Sequence, residues 1–245
     1  MVWWNFIARC LLAAEVILGS DLLAQAPGTP PPAPAQLVII FESEPAEFKA
    51  LTLNKAPFAS LQVPLDAATI WPVAAGKQEL VVSAAGAEDK KLALAMNPKQ
   101  VALLMLGQKP NPDPAKKAEH PKIISAEVLP LDLPEPDKQG RVFVYLPPGG
   151  KTLQATEQRG KANPKTVELK AGRVTSIGVG SVAVMVGDQQ VVAATPGNPG
   201  LYVFVIFPGA DGKLRSVPFH FLVEEPEKPN DPKDNRTSAP RPADF

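Results

Sequence analysis

WPVAAGKQELVVSAAGAEDKKLALAMNPKQVALLMLG, Trp71 to Gly107, is the stretch that decides the fold class. It reads as strand, tight turn, strand, turn, strand. From Lys77 to Ser83, Leu80 and Val82 share one face while Glu79 and Val81 share the other. Leu92, Leu94 and Met96 alternate with alanines, and beyond the Asn97-Pro98 turn Val101 to Leu106 is continuously apolar. Successive side chains of a strand point to opposite faces, so alternation with period two marks a strand with one face covered. Long helical periodicity is missing. Short strands at this spacing, with turn residues between them, indicate a β-sandwich or barrel.

The same pattern extends upstream through Gln36 to Phe41, Phe48 to Leu53, Phe58 to Val63 and Ala68 to Val73, with an Asn54-Lys55 turn after the second run. Residues 36–107 are therefore expected to form a first sandwich domain. Residues 108–139 are polar and rich in proline, and predict a linker whose middle, Ile123 to Val128, pairs with a sheet edge. Residues 140–223 predict a second sandwich. In it, Gly187-Asp188 between two apolar runs is a two-residue hairpin signal. LYVFVIF, Leu201 to Phe207, predicts a central strand covered on both sides, because left open it would invite aggregation. Pro218 places the last strand, Lys213 to Val223, at an edge. The expected fold is thus all-β: two small antiparallel β-sandwich domains in tandem, of immunoglobulin-like kind.

Leu94, Met96, Val101, Leu104, Leu106 and Gly107 align without gaps with Val167, Leu169, Val174, Ile177, Val179 and Gly180. The match is compatible with an internal repeat and equally with a chance similarity of two strand–turn–strand segments.

The ends of the chain are of a different kind. Residues 1–26 resemble a secretory signal peptide: Arg9, an apolar stretch interrupted by Glu15 and Asp21, then Ala24-Gln25-Ala26 as a small-x-small cleavage site. The alternative is an amphipathic N-terminal helix that stays attached. Residues 27–35 hold the run PGTPPPAPA, an extended spacer. Residues 224–245 are charged and proline-rich, and predict a disordered tail. The expected location is outside the cytoplasm: periplasm, cell surface or secreted.

Composition narrows the function. Twenty-five basic residues balance twenty-five acidic ones, so no global field attracts nucleic acid or an anionic membrane. Cys10 is the only cysteine and precedes the cleavage site, so the mature chain is expected to lack disulfides, thiol catalysis and thiolate metal sites. Exported domains without disulfides fit a bacterial envelope better than a eukaryotic secretory route. No membrane span is expected in the mature chain.

Candidate chemistry is sparse. His120 precedes a proline in the linker and His220 lies among aromatics on the last strand. Neither has the further ligands a metal site requires. Nucleophile-elbow, dinucleotide and P-loop patterns are absent. The densest acidic group beside a strand is Glu42, Glu44 and Glu47 in FESEPAEF, which reads first as a solvated strand end. Calcium at a sandwich rim and a glycosidase carboxylate pair are the functional alternatives. Asp231, Asp234 and Asn235 fall in the tail, where nothing preorganises them. No cofactor is expected, and no catalytic, cofactor-binding or metal residue is assigned.

Pro72-Val73-Ala74-Ala75-Gly76-Lys77, followed by Glu79-Leu80-Val81-Val82 and Ala85-Gly86, resembles the core of PEGA-type domains over about 35 residues. At the position of that family's signature tetrapeptide this chain has SEPAEF. The resemblance implies a small β-sandwich module of bacterial envelope proteins, structural or adhesive and not enzymatic. The expected function is therefore that of a non-catalytic exported module with a structural or binding role at the bacterial envelope, its partner an envelope protein, a glycan or the cell surface. The alternative is an accessory carbohydrate-active or calcium-dependent domain using Glu42, Glu44 and Glu47.

Overall fold

Apolar runs with both faces covered organise the structure. The computed structural model describes residues 33–58, 64–136, 138–209 and 211–223. The signal-peptide reading, residues 27–32 of the spacer, most of the strand expected at Phe58 to Val63, and the tail lie outside the described residues, while Ala35, expected to end the spacer, already belongs to the first strand. The first domain contains β1 (Ala35–Phe41), β2 (Phe48–Leu53), β3 (Ala56–Pro57), β4 (Thr69–Val73), β5 (Gly76–Ala84), β6 (Lys90–Met96), β7 (Val101–Pro110) and β8 (Lys122–Leu131). The second contains β9 (Gly140–Leu146), β10 (Leu153–Gln158), β11 (Lys165–Leu169), β12 (Arg173–Val179), β13 (Val182–Val186), β14 (Gln189–Ala194), β15 (Gly200–Pro208) and β16 (Leu214–Leu222). The protein is all-β, two β-sandwiches in tandem.

Each sandwich has an inner and an outer sheet. The inner sheets run β4-β1-β7-β8 and β12-β9-β15-β16; the outer sheets run β3-β2-β5-β6 and β11-β10-β13-β14. Counted from the start of each domain, the two strand orders are identical. The domains are topological duplicates. In both, the first strand joins the seventh in parallel, β1 to β7 and β9 to β15, while the remaining pairings are antiparallel. The sheets are thus antiparallel as expected apart from these two central pairs. Parallel strands belong where both faces are buried, and the four strands concerned are the most buried of their sheets.

The duplication does not follow the alignment suggested by the sequence. That alignment matches β6–β7 to β11–β12, whereas the topological counterpart of β6–β7 is β14–β15. The two segments look alike because both leave an outer sheet and enter an inner one, so neither is a hairpin. The Gly187-Asp188 hairpin does form, with Val186 paired to Gln189.

The segment read as a linker also changes. β7 runs on to Pro110, and all ten residues of β8 pair with it, from Val101↔Leu131 to Pro110↔Lys122. The first domain thus extends to Leu131, beyond the boundary expected at 107, and only residues 132–139 connect it to β9. A strand whose outer edge faces water can carry polar residues and proline, which is why it resembled a connector.

Three apolar layers result. Leu37, Ile39, Phe41, Leu104 and Leu106 of the first inner sheet meet Leu51, Leu80, Val82 and Leu94 of its outer sheet. Val142, Val144, Phe204 and Ile206 meet Ala155, Leu169, Val184 and Val192 in the second domain. The third layer lies between the two inner sheets. There Val38, Ile40, Leu103, Met105 and Leu129 face Phe143, Tyr145, Leu201, Val203, Val205 and Phe219. Alternate residues of β1, β7, β9 and β15 therefore enter different cores. The strands of both sandwiches belong to one compact unit.

Edge strands expose unpaired backbone groups that recruit other strands. Here each edge is blunted. Pro57, Pro72, Pro130 and Pro218 lie in β3, β4, β8 and β16, and β6 opens on Lys90-Lys91. β12 is bulged between Ser176 and Gly178, and β14 carries an extra residue opposite Val184/Met185. β11 is five residues long and starts on Lys165.

The shared layer predicts cooperative unfolding. Leu103→Ala, at a position with 0 % exposure, should cost about 2–5 kcal/mol. In urea, Trp71 fluorescence in the first domain and a fluorescent label on the exposed Lys161 of the second should report the same midpoint, before and after the substitution. Two separated transitions would show that the domains fold independently.

Candidate functional site

The three glutamates singled out in the sequence lie on the connection from β1 to β2, and each has a different environment. Glu47 ends a single 3₁₀ turn, Pro45–Glu47. Its carboxylate is 3.2 Å from Lys122 Nζ of β8, and its carbonyl accepts hydrogen bonds from Gln108 Nε2 (3.1 Å) and Ala85 N–H (2.9 Å). Glu47 thereby fastens inner strands β7 and β8 to the end of outer strand β5. Glu44 is exposed, and its carbonyl accepts the N–H of Glu47.

Glu42 continues the face of β1 that carries Val38 and Ile40 toward the second domain. Its N–H donates to Leu106 O at 2.6 Å. Its carboxylate lies over Gly107 of β7: a Cβ there would stand 2.7 Å from Glu42 Oε2. A side chain at this position would push the Glu42 carboxylate aside. Burial raises the Glu42 pKa above its ordinary 4.5; Lys109 opposes the shift and Glu127 adds to it. Across the middle layer, burial and then Glu127 raise the pKa of Tyr145 above 10.0. Lys109, Glu127 and Tyr145 come from β7, β8 and β9, so sequence reading could not join them to Glu42. Gly107, which breaks an apolar run inside a strand, was the available signal.

The histidines serve local structure. The His120 carbonyl accepts Asn111 Nδ2 at 2.8 Å within the β7–β8 loop, and its ring lies 3.8 Å from Glu119. His220 stacks on Tyr202, directly opposite it in register, with centroids 5.9 Å apart. Trp71 packs against Phe58 at 5.6 Å. Among the described residues no group of three or more His, Cys, Asp or Glu side chains could hold a metal ion. Nor is any helix among them long and apolar enough to cross a membrane.

A further buried carboxylate was missed. Glu157 of β10 is 4 % exposed and pairs with Arg159, whose guanidinium also donates to the carbonyl of Ile177. That guanidinium occupies the space a side chain at Gly178 would need; Gly178, at φ +143°, closes the β12 bulge. The signal in the sequence was the alternation Leu153, Ala155, Glu157, which places a charge where an apolar residue belongs. Taken together, these groups brace the two sandwiches.

A scan against protein-family models matches nothing, and a search of curated proteins finds no match either.

Two outcomes are expected. The folded-state pKa of Glu42 is raised, so its contribution to stability is full below pH 4.5 and is lost as pH rises through the folded value. Glu42→Gln should remove that loss, flattening the urea midpoint between pH 4.5 and neutrality; an unchanged slope would show that Glu42 is not its source. Arg159→Ala should destabilise more than Glu157→Gln, because it strands a buried charge. The cost should be about 2–3 kcal/mol, below that of a fully buried pair, since the arginine side chain is 44 % exposed. Thermal or urea denaturation of the two variants checks the order.

Proposed function

We propose that this protein is an exported, non-catalytic β-sandwich module with a structural or binding role at a bacterial envelope. The observation that carries the reading is the apolar layer shared by the two inner sheets, which joins the tandem into one compact unit suited to presenting surfaces. The blunted edges argue against strand addition as its binding mode and leave faces and loops for a partner. The N-terminal segment with Ala24-Gln25-Ala26, the proline-rich spacer and the lack of cysteine beyond Cys10 support export.

A carbohydrate-active or calcium-dependent role for Glu42, Glu44 and Glu47 has weaker support. Glu47 is engaged by Lys122, Glu42 is folded over Gly107, and Glu44 stands exposed.

Export is tested by expressing the full chain in a bacterial host, fractionating the cells and sequencing the N-terminus. The expected product begins at Pro27 and lies outside the cytoplasm. Intact chain beginning at Met1 in the cytoplasm would overturn the envelope reading.

A further inference from the structure

Because the two domains share one strand order, each serves as a control for the other, and their differences mark specialisation. Charge is the first difference. Residues 35–131 carry ten Lys/Arg and ten Asp/Glu, whereas residues 140–223 carry nine Lys/Arg and four Asp/Glu. The neutral chain thus contains a basic half.

The connection between the second and third strands is another difference. In the first domain, Asn54-Lys55 joins β2 to β3 in a tight turn with both residues at positive φ. In the second, residues 159–164 join β10 to β11, reading Arg-Gly-Lys-Ala-Asn-Pro before Lys165. The base of this longer loop is fixed. Glu157 and the carbonyl of Ile177 hold Arg159, whose guanidinium lies against Gly178, and Ala162 N–H donates to Arg159 O at 2.8 Å. Lys161 is exposed on it, and Lys165, exposed where β11 begins, follows it directly and lies opposite Glu157 in register. A buried carboxylate is thus used to hold a loop that presents cations to water.

We propose that this loop is a docking surface for an anionic polysaccharide, with Lys161 and Lys165 meeting its carboxylates. The proposal rests on reading the protein as a binding module and names the partner's chemistry. Repeated charge on a neutral backbone complements lysines spaced along an anchored loop. Nucleic acid fits less well, because the loop offers no aromatic platform on which bases could stack. A protein partner fits less well too, because the loop has no aromatic or large apolar anchor.

The test measures binding of fluorescent polygalacturonate to the purified full chain, with neutral dextran and single-stranded DNA as competitors. Lys161→Ala/Lys165→Ala should weaken binding about fivefold or more, consistent with two exposed charge contacts. Lys90→Ala/Lys91→Ala, an equal charge change in the neutral domain, should leave it near wild type. Affinity should fall as salt rises from about 50 to about 200 mM. The proposal is overturned by absence of binding, by equal losses in the two double variants, by competition from dextran, or by stronger competition from DNA of equal charge. An uncut N-terminus in the export experiment would overturn the envelope reading and leave this binding result standing.

Discussion

The middle apolar layer is the constraint on which the architecture depends. A single sandwich asks its strands to be apolar on one face. Here β1, β7, β9 and β15 must be apolar on both, since residues such as Ile39 and Ile40 face different cores. That requirement accounts for QLVIIF, VALLML, VFVYL and LYVFVIF, and for the location of the two parallel pairs in the centre. It also explains the amphipathic outer sheets. Their strands contribute to one core each, so they keep the alternation of Leu80, Val82 and Leu94 with polar or small neighbours.

Around this core the polar groups act as fasteners. Glu47 with Lys122 and Gln108 ties strand ends of the first sandwich, and Arg159 with Glu157 does so in the second. Gln189 bonds both ways to the backbone of Leu214, so one amide side chain stands in for a strand where outer sheet meets inner. Arg215 lies over Phe207 and donates to the carbonyl of Leu65, joining the domains beside the apolar layer. Where ionisable groups are desolvated, as at Glu42 and Tyr145, they border that layer. The shifts at these positions follow from burial and from the charges of Lys109 and Glu127.

The duplication shows how one strand order accepts different surfaces. The cores match in position, while loops and charges diverge: a tight turn at Asn54-Lys55 against an anchored basic loop at 159–164, and an eleven-residue β7–β8 connection against a short one between β15 and β16. Prolines fit the same logic. Within strands, Pro57, Pro72, Pro130 and Pro218 lie at edges, where a missing N–H costs no ladder bond and discourages pairing with other chains.

By itself the sequence determined the class of structure, because alternation, turn residues and unbroken apolar runs are local consequences of strand geometry. It determined most strand positions, the Gly187-Asp188 hairpin and the double burial of Leu201 to Phe207. Only the tertiary structure decided which strands pair. Outer-to-inner crossings at β6–β7 and β11–β12 have the same local pattern as hairpins, so the repeat was matched in the wrong register. β8 looked like linker because an edge strand meets fewer constraints than a central one. The relation of Glu42 and Gly107 to Lys109, Glu127 and Tyr145 was beyond sequence reading: it depends on the order of β1, β7 and β8 in one sheet and, for Tyr145, on the sheets of two domains meeting, and no local spacing encodes either.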